Sequence, residues 1–147
     1  MDKKDRDKLE ESIELWKDVL IEDEPFDFAF LEKIILHKVK LMRDYYLSGA
    51  SPLTEKSVRQ MVKEMDQVIT ALERLLADRY LELEKEPEVE WEEIKNAEGI
   101  TEYKLNYQTD YSPEELKFFY QKADEKRKKD RHLVYDTLRD CAPSWWD

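Results

Sequence analysis

The sequence predicts a mainly α fold, a bundle of about four helices with an inserted β-hairpin, forming a single domain over 1–147. Three observations carry that expectation. The 147 residues include only two Gly, too few for the turns of sandwiches and barrels or the phosphate loops of nucleotide-binding α/β folds. Charged and hydrophobic residues each make up 41%, with four Trp, eight Tyr and five Phe, so the chain has the material for a core despite its charge. Apolar residues also recur at three- and four-residue spacing over long stretches, which is the period of an amphipathic helix.

The first helix is expected over 5–21, with Leu9, Ile13, Trp16 and Leu20 on one face. The turn Glu22-Asp23-Glu24-Pro25 stops it, because proline disfavours the α conformation in the residue before it. A second helix over 27–47 carries a wide stripe of Phe28, Leu31, Ile34, Ile35, Met42, Tyr45 and Tyr46 and ends at Gly49, a natural left-handed cap. The third, over 54–84, is the most regular. Val58, Met65 and Leu72 lie seven apart, with Met61/Val62, Val68/Ile69 and Leu75/Leu76 between them. That heptad-like seam suits left-handed packing in a bundle or a dimer, so a homo-oligomer joined through this helix is expected. The fourth helix, over 112–141, opens on Ser112-Pro113-Glu114-Glu115, a capping box with proline at the first helical position.

Between the third and fourth helices the period changes to two. Val89-Glu90-Trp91 and Thr101-Glu102-Tyr103-Lys104-Leu105-Asn106-Tyr107 alternate apolar with polar residues around a turn at Asn96-Ala97-Glu98-Gly99. A β-hairpin over 88–108 follows.

Net charge is −11, and its distribution is uneven. Residues 1–24 hold ten acids against five bases, and residues 82–102 nine against two, whereas 122–132 hold six bases against three acids. A chain this acidic repels phosphate backbones at long range, so duplex nucleic acid is not an expected partner. The acidic hairpin reads either as solvated surface or as an imitation of an anionic ligand such as DNA. One Cys excludes an intramolecular disulfide framework and fits a reducing compartment. No apolar run is long enough for a membrane span and the N-terminus lacks a signal-peptide core, so a soluble intracellular protein with no membrane partner is expected.

Signatures of catalysis are missing. The sequence has no Gly-rich phosphate loop, no Gly-x-Ser-x-Gly and no His-Glu-x-x-His. His37 and His132 lack the Glu three residues earlier that di-iron bundles use. Glu11-x-x-Glu14 has no partner acid pair on the next helix, and Cys141 has no neighbouring histidine. No enzyme, metal or cofactor is expected.

Two features point to binding. The closing Trp145 and Trp146 have either a pocket in the bundle to fill or a partner interface to meet. On a helical wheel, Arg127 falls at the centre of the stripe Leu116, Tyr120, Ala123, Val134 and Leu138, flanked by Asp130 and Arg131, and Lys38 falls mid-stripe on the second helix. An unpaired buried charge costs on the order of several kcal/mol. These cations therefore find acids or reach water, or they line a pocket. In the pocket reading, Lys38, Arg127 and Arg131 hold phosphate or carboxylate oxygens while Tyr45, Tyr46 and Tyr120 cover a flat ligand.

The pattern Phe28-x-x-Leu31…Lys38-x-x-x-Met42-x-x-Tyr45, then Arg59-Gln60-Met61…Ala71-Leu72-x-x-Leu75-Leu76-x-Asp78-x-Tyr80 and the closing Trp145-Trp146-Asp147, resembles a family of small acidic helical proteins encoded in tailed-phage genomes. The resemblance covers about half of the chain. It implies a phage origin and carries over no catalytic residue. Small phage proteins without enzymatic motifs are often host-takeover or counter-defence factors, an analogy rather than a reading of residues. The expected role is thus a non-catalytic accessory protein in the cytoplasm of the infected bacterial host. It would neutralise a host component, by inhibiting a defence protein or by sequestering a small phosphorylated nucleotide signal. The alternative is a structural or replication-associated phage protein with no ligand pocket.

Overall fold

A computed structural model of the chain describes residues 1–22 and 27–146, the side chain of Trp146 excepted. Asp23, Glu24, Pro25 and Phe26 of the expected acidic turn, and Asp147, lie outside the described residues. The fold is mainly α with an inserted antiparallel hairpin: α1 (Lys3–Leu20), α2 (Phe28–Leu47), α3 (Glu55–Ala77), β1 (Glu88–Lys95), β2 (Thr101–Gln108), α4 (Pro113–Asp140) and a closing 3₁₀ turn (Ala142–Trp146). Among the described residues, no helix is long and apolar enough to cross a membrane.

The helix ends follow from local chemistry. Asp2, Asp27 and Thr54 cap α1, α2 and α3 through side-chain oxygens that accept from Asp5 N, Ala29 N and Ser57 N. The capping box on α4 is reciprocal: Glu115 N–H donates to Ser112 Oγ at 3.1 Å, and Ser112 N–H to Glu115 Oε2 at 2.7 Å. Helix α3 stops at Ala77, short of the expected 84. Asp78 takes the left-handed conformation (φ 46°) that ends helices, and aspartate tolerates it better than most residues. Residues 78–84 of the expected helix are irregular, as is the rest of the chain up to the hairpin.

Where one domain is expected, the residues cluster into two compact units, Met1–Asp78 with Lys128–Asp147, and Arg79–Arg127. The core of the first consists of Val39 and Tyr46 of α2, Met61, Met65, Val68, Ile69, Ala71, Leu72 and Leu75 of α3, Val134 of α4, and Trp145. Removing a Leu or Met side chain from water contributes about 1.5–3 kcal/mol each, so α3 is the energetic centre of this unit. Most of its seam is covered within the chain. Val58, Val62 and Leu76 of the seam are half-buried rather than enclosed.

Helix α1 is the opposite case. None of its residues is buried, and Leu9, Ile13 and Leu20, expected in the core, are exposed. Its links to α2 are few: the Trp16 ring lies 4.7 Å from that of His37, His37 Nε2 is 2.6 Å from the Leu15 carbonyl, and Lys33 pairs with Glu22 at 2.6 Å. That pair holds the Lys33 ammonium above its ordinary pKa.

The second unit holds the hairpin and the first half of α4, around Tyr80 and Ala123. Glu84 N–H donates to Tyr111 Oη at 3.2 Å, and Tyr111 packs edge-on against Phe119.

Candidate functional site

Every residue of β1 is exposed, and β2 is at most half-buried. The register pairs Val89 with Tyr107, Trp91 with Leu105 and Glu93 with Tyr103, while Glu88, Glu90, Glu92 and Ile94 face Gln108, Asn106, Lys104 and Glu102. Side chains alternate between faces, so the ribbon is two-sided. One face carries Val89, Trp91, Tyr103, Leu105 and Tyr107, with Glu93, Lys95 and Thr101 toward the turn. The other is mainly acidic, with carboxylates two residues apart along β1. Trp91 is 69% exposed and Tyr103 67%, although isolated two-stranded ribbons ordinarily need a covered face for stability.

The turn is well made. The Asn96 side-chain oxygen accepts from the N–H groups of Glu98 and Ile100, Gly99 N–H donates to the Asn96 carbonyl at 3.0 Å, and Gly99 adopts φ 78°. Local Asx chemistry thus fixes the register, which keeps the aromatic residues together on one face. At the base of the hairpin lies an open recess lined by Glu84, Lys85, Glu86, Glu88, Asp110 and Tyr111. Its carboxylates disfavour anions. Among the described residues, no group of three or more His, Cys, Asp or Glu side chains is placed to hold a metal ion.

The residues expected to form a cationic pocket are distributed differently. Lys38 is exposed; it is not mid-stripe. The buried line of α2 runs through Glu32, Val39 and Tyr46, seven residues apart, and Lys38 lies one position, about 100°, away. Tyr45 is exposed and meets Tyr46 edge-on at 5.2 Å. Tyr46 is buried, with its hydroxyl donating to the Trp145 carbonyl. Arg131 bonds Glu32 at 3.2 Å and covers the Phe28 ring at 5.9 Å. In the other unit, Tyr120 is exposed, and Arg127 bonds Asp124 and lies 5.5 Å over the Tyr80 ring. Both arginines therefore have a carboxylate in hand, which competes with any bound phosphate.

Trp145, expected either in a pocket of the bundle or at a partner interface, is 1% exposed. Its indole N–H donates to Glu64 Oε2 at 2.8 Å, so it fills the chain's own core. The Trp146 side chain lies outside the described residues. Cys141 sits beside this turn, and burial, reinforced by Glu64 and Asp140, pushes its thiol above the ordinary value. That is the wrong direction for a nucleophile.

Two buried acids escaped the sequence reading as core residues, Glu32 and Asp130. Asp130 accepts two bonds from Arg74, at 2.9 and 2.6 Å. Periodicity sets Asp130 beside the apolar stripe of the fourth helix but does not name Arg74 as its partner, and it gives no sign of Glu32. The aromatic ladder was legible: the alternation that predicts the hairpin also assigns Trp91, Tyr103 and Tyr107 to one face. Comparison with protein-family models, curated proteins and solved structures finds no match to this chain.

Proposed function

We propose that the chain is a non-catalytic binding protein whose hairpin docks on a partner protein and neutralises it. The observation that carries this reading is the two-sided ribbon, with Trp91, Tyr103 and Tyr107 open to water on one face and carboxylates on the other. Exposed aromatics are typical interface anchors, because they bury a large area at low entropic cost. The surrounding acids select a partner with a basic rim. With the resemblance to small phage-encoded proteins, the partner is a host component and, in the leading version, a defence protein. Sequestration of a small phosphorylated nucleotide receives less support, since Arg127 and Arg131 are each bonded to a carboxylate. A structural or replication-associated phage role is the remaining reading, and the same exposed ribbon would serve it.

Native mass spectrometry of the chain purified from infected cells tests the proposal. The expected result is a retained host protein that disappears with Trp91→Ser/Tyr103→Ser while the melting temperature stays within about 2 °C. A retained small anion with no protein would favour sequestration. A protein partner indifferent to the double substitution would overturn the hairpin as the site.

A further inference from the structure

The hairpin leaves one other large feature unexplained. Helix α1 is 18 residues long and buries nothing, yet Leu9, Ile13, Trp16 and Leu20 follow the 4-3-4 spacing of a coiled-coil seam. Ile13 is 55% exposed and Leu9 and Leu20 comparably so. A helix of this length with most of its apolar seam in water is marginal by itself. Something covers the seam, and the charge pattern of α1 indicates what.

We propose that α1 is the self-association helix of this protein, and that its seam is covered by α1 of a second copy packed antiparallel across a two-fold axis.

Aligning the seams antiparallel sets Leu9 opposite Leu20 of the second copy and Ile13 opposite its Trp16, and symmetry repeats both layers. Four apolar layers result, with the axis passing between Glu14 and Leu15. In that register, Glu10 and Lys17 occupy the same flank of the seam, and each faces its opposite in the second copy, so the interface carries two symmetric ion pairs.

A parallel pair has no such match. It would bring Asp5 against Glu10 of the second copy and Ser12 against its Lys17, which is one repulsion and no attraction. The helix is therefore charge-complementary to itself in one orientation only. The Lys17–Glu14 pair within the helix is exposed on both sides and contributes little, so Lys17 is available to re-pair. The −11 charge of each protomer is screened beyond about 8 Å at physiological salt, so local complementarity decides.

Sedimentation equilibrium of the full chain at high micromolar concentration tests this, with charge swaps as the specific probe. Wild type is expected at twice the 17.8 kDa protomer mass. Ile13→Glu should give the protomer, with helical circular dichroism retained apart from that of α1. Lys17→Glu should raise the dissociation constant about tenfold. Glu10→Lys/Lys17→Glu in one chain should restore it, and so should mixing the Glu10→Lys chain with the Lys17→Glu chain. A wild-type protomer mass overturns the proposal, as does a dimer that survives Ile13→Glu. A dimer broken by Ile13→Glu but indifferent to the swaps overturns the antiparallel register. Trp91→Ser/Tyr103→Ser leaves α1 untouched, so the hairpin reading fails or stands separately.

Discussion

Helices α1 and α3 have the same kind of sequence: long, charged on one face, with apolar residues at three- and four-residue intervals. In α3 seven residues are buried, whereas in α1 none is. The difference lies in the neighbours. Helix α3 is packed by α2 and shares its core with Val134 and Trp145, whose indole N–H bonds Glu64 of α3 itself. Among the described residues, helix α1 and the turn after it meet α2 through the tilted Trp16–His37 ring pair, the His37 bond to the Leu15 carbonyl and the Lys33–Glu22 ion pair. An apolar seam states that a helix will bury one face; it does not state in what.

The largest expected effect separates the two helices directly. Leu72→Ala in α3 should cost about 2–5 kcal/mol in urea unfolding, at any protein concentration, because it empties a fully enclosed site. Ile13→Ala in α1 should cost about 0.5 kcal/mol or less in dilute protein, where the residue is open to water, and more as concentration rises. Equal, concentration-independent costs at both positions would erase the distinction between the helices.

A smaller effect concerns the polar edge of the α3 unit. Glu32 is only 2% exposed and is bonded by Arg131. Arg131→Met leaves that carboxylate in the core without its guanidinium and should cost about 2–3 kcal/mol, the low end of such losses because Arg131 is itself partly in water. Glu32→Leu together with Arg131→Met should recover most of that loss, as read from the urea midpoint. If Arg131→Met alone were neutral, the residue would be free for a ligand, and the pocket reading would regain support.

The smallest effect is a rate. The Cys141 thiol is held above its ordinary pKa, first by burial and then by Glu64 and Asp140. A raised pKa means less thiolate at a given pH, so alkylation near pH 8 should be slower in the folded chain than in urea, and the gap should narrow as pH rises through the thiol's range. Trp145→Ala, which opens the core beside the 3₁₀ turn, should narrow the gap. Equal rates in folded wild type and urea would show that the 3₁₀ turn does not close over this end of the bundle.

The hairpin is a third case. Its existence, its turn and its two faces were readable from alternation and from Asn96 and Gly99, because register and facing are local properties of a ribbon. Its openness was not, since nothing in a strand's own sequence tells whether an aromatic face meets a core or water.

By itself the sequence determined the elements: four capped helices, the reciprocal Ser112–Glu115 box and the hairpin with its period-two faces. All of these rest on interactions within a few residues. The tertiary structure decided where each face went. It buried Trp145, turned Lys38 to solvent, and drew Glu32 and Asp130 inward against Arg131 and Arg74. The physical reason is common to all of these. A side chain's burial and charge partner are set by residues distant in sequence, as Arg131 is from Glu32, and helical or strand periodicity carries no information about them.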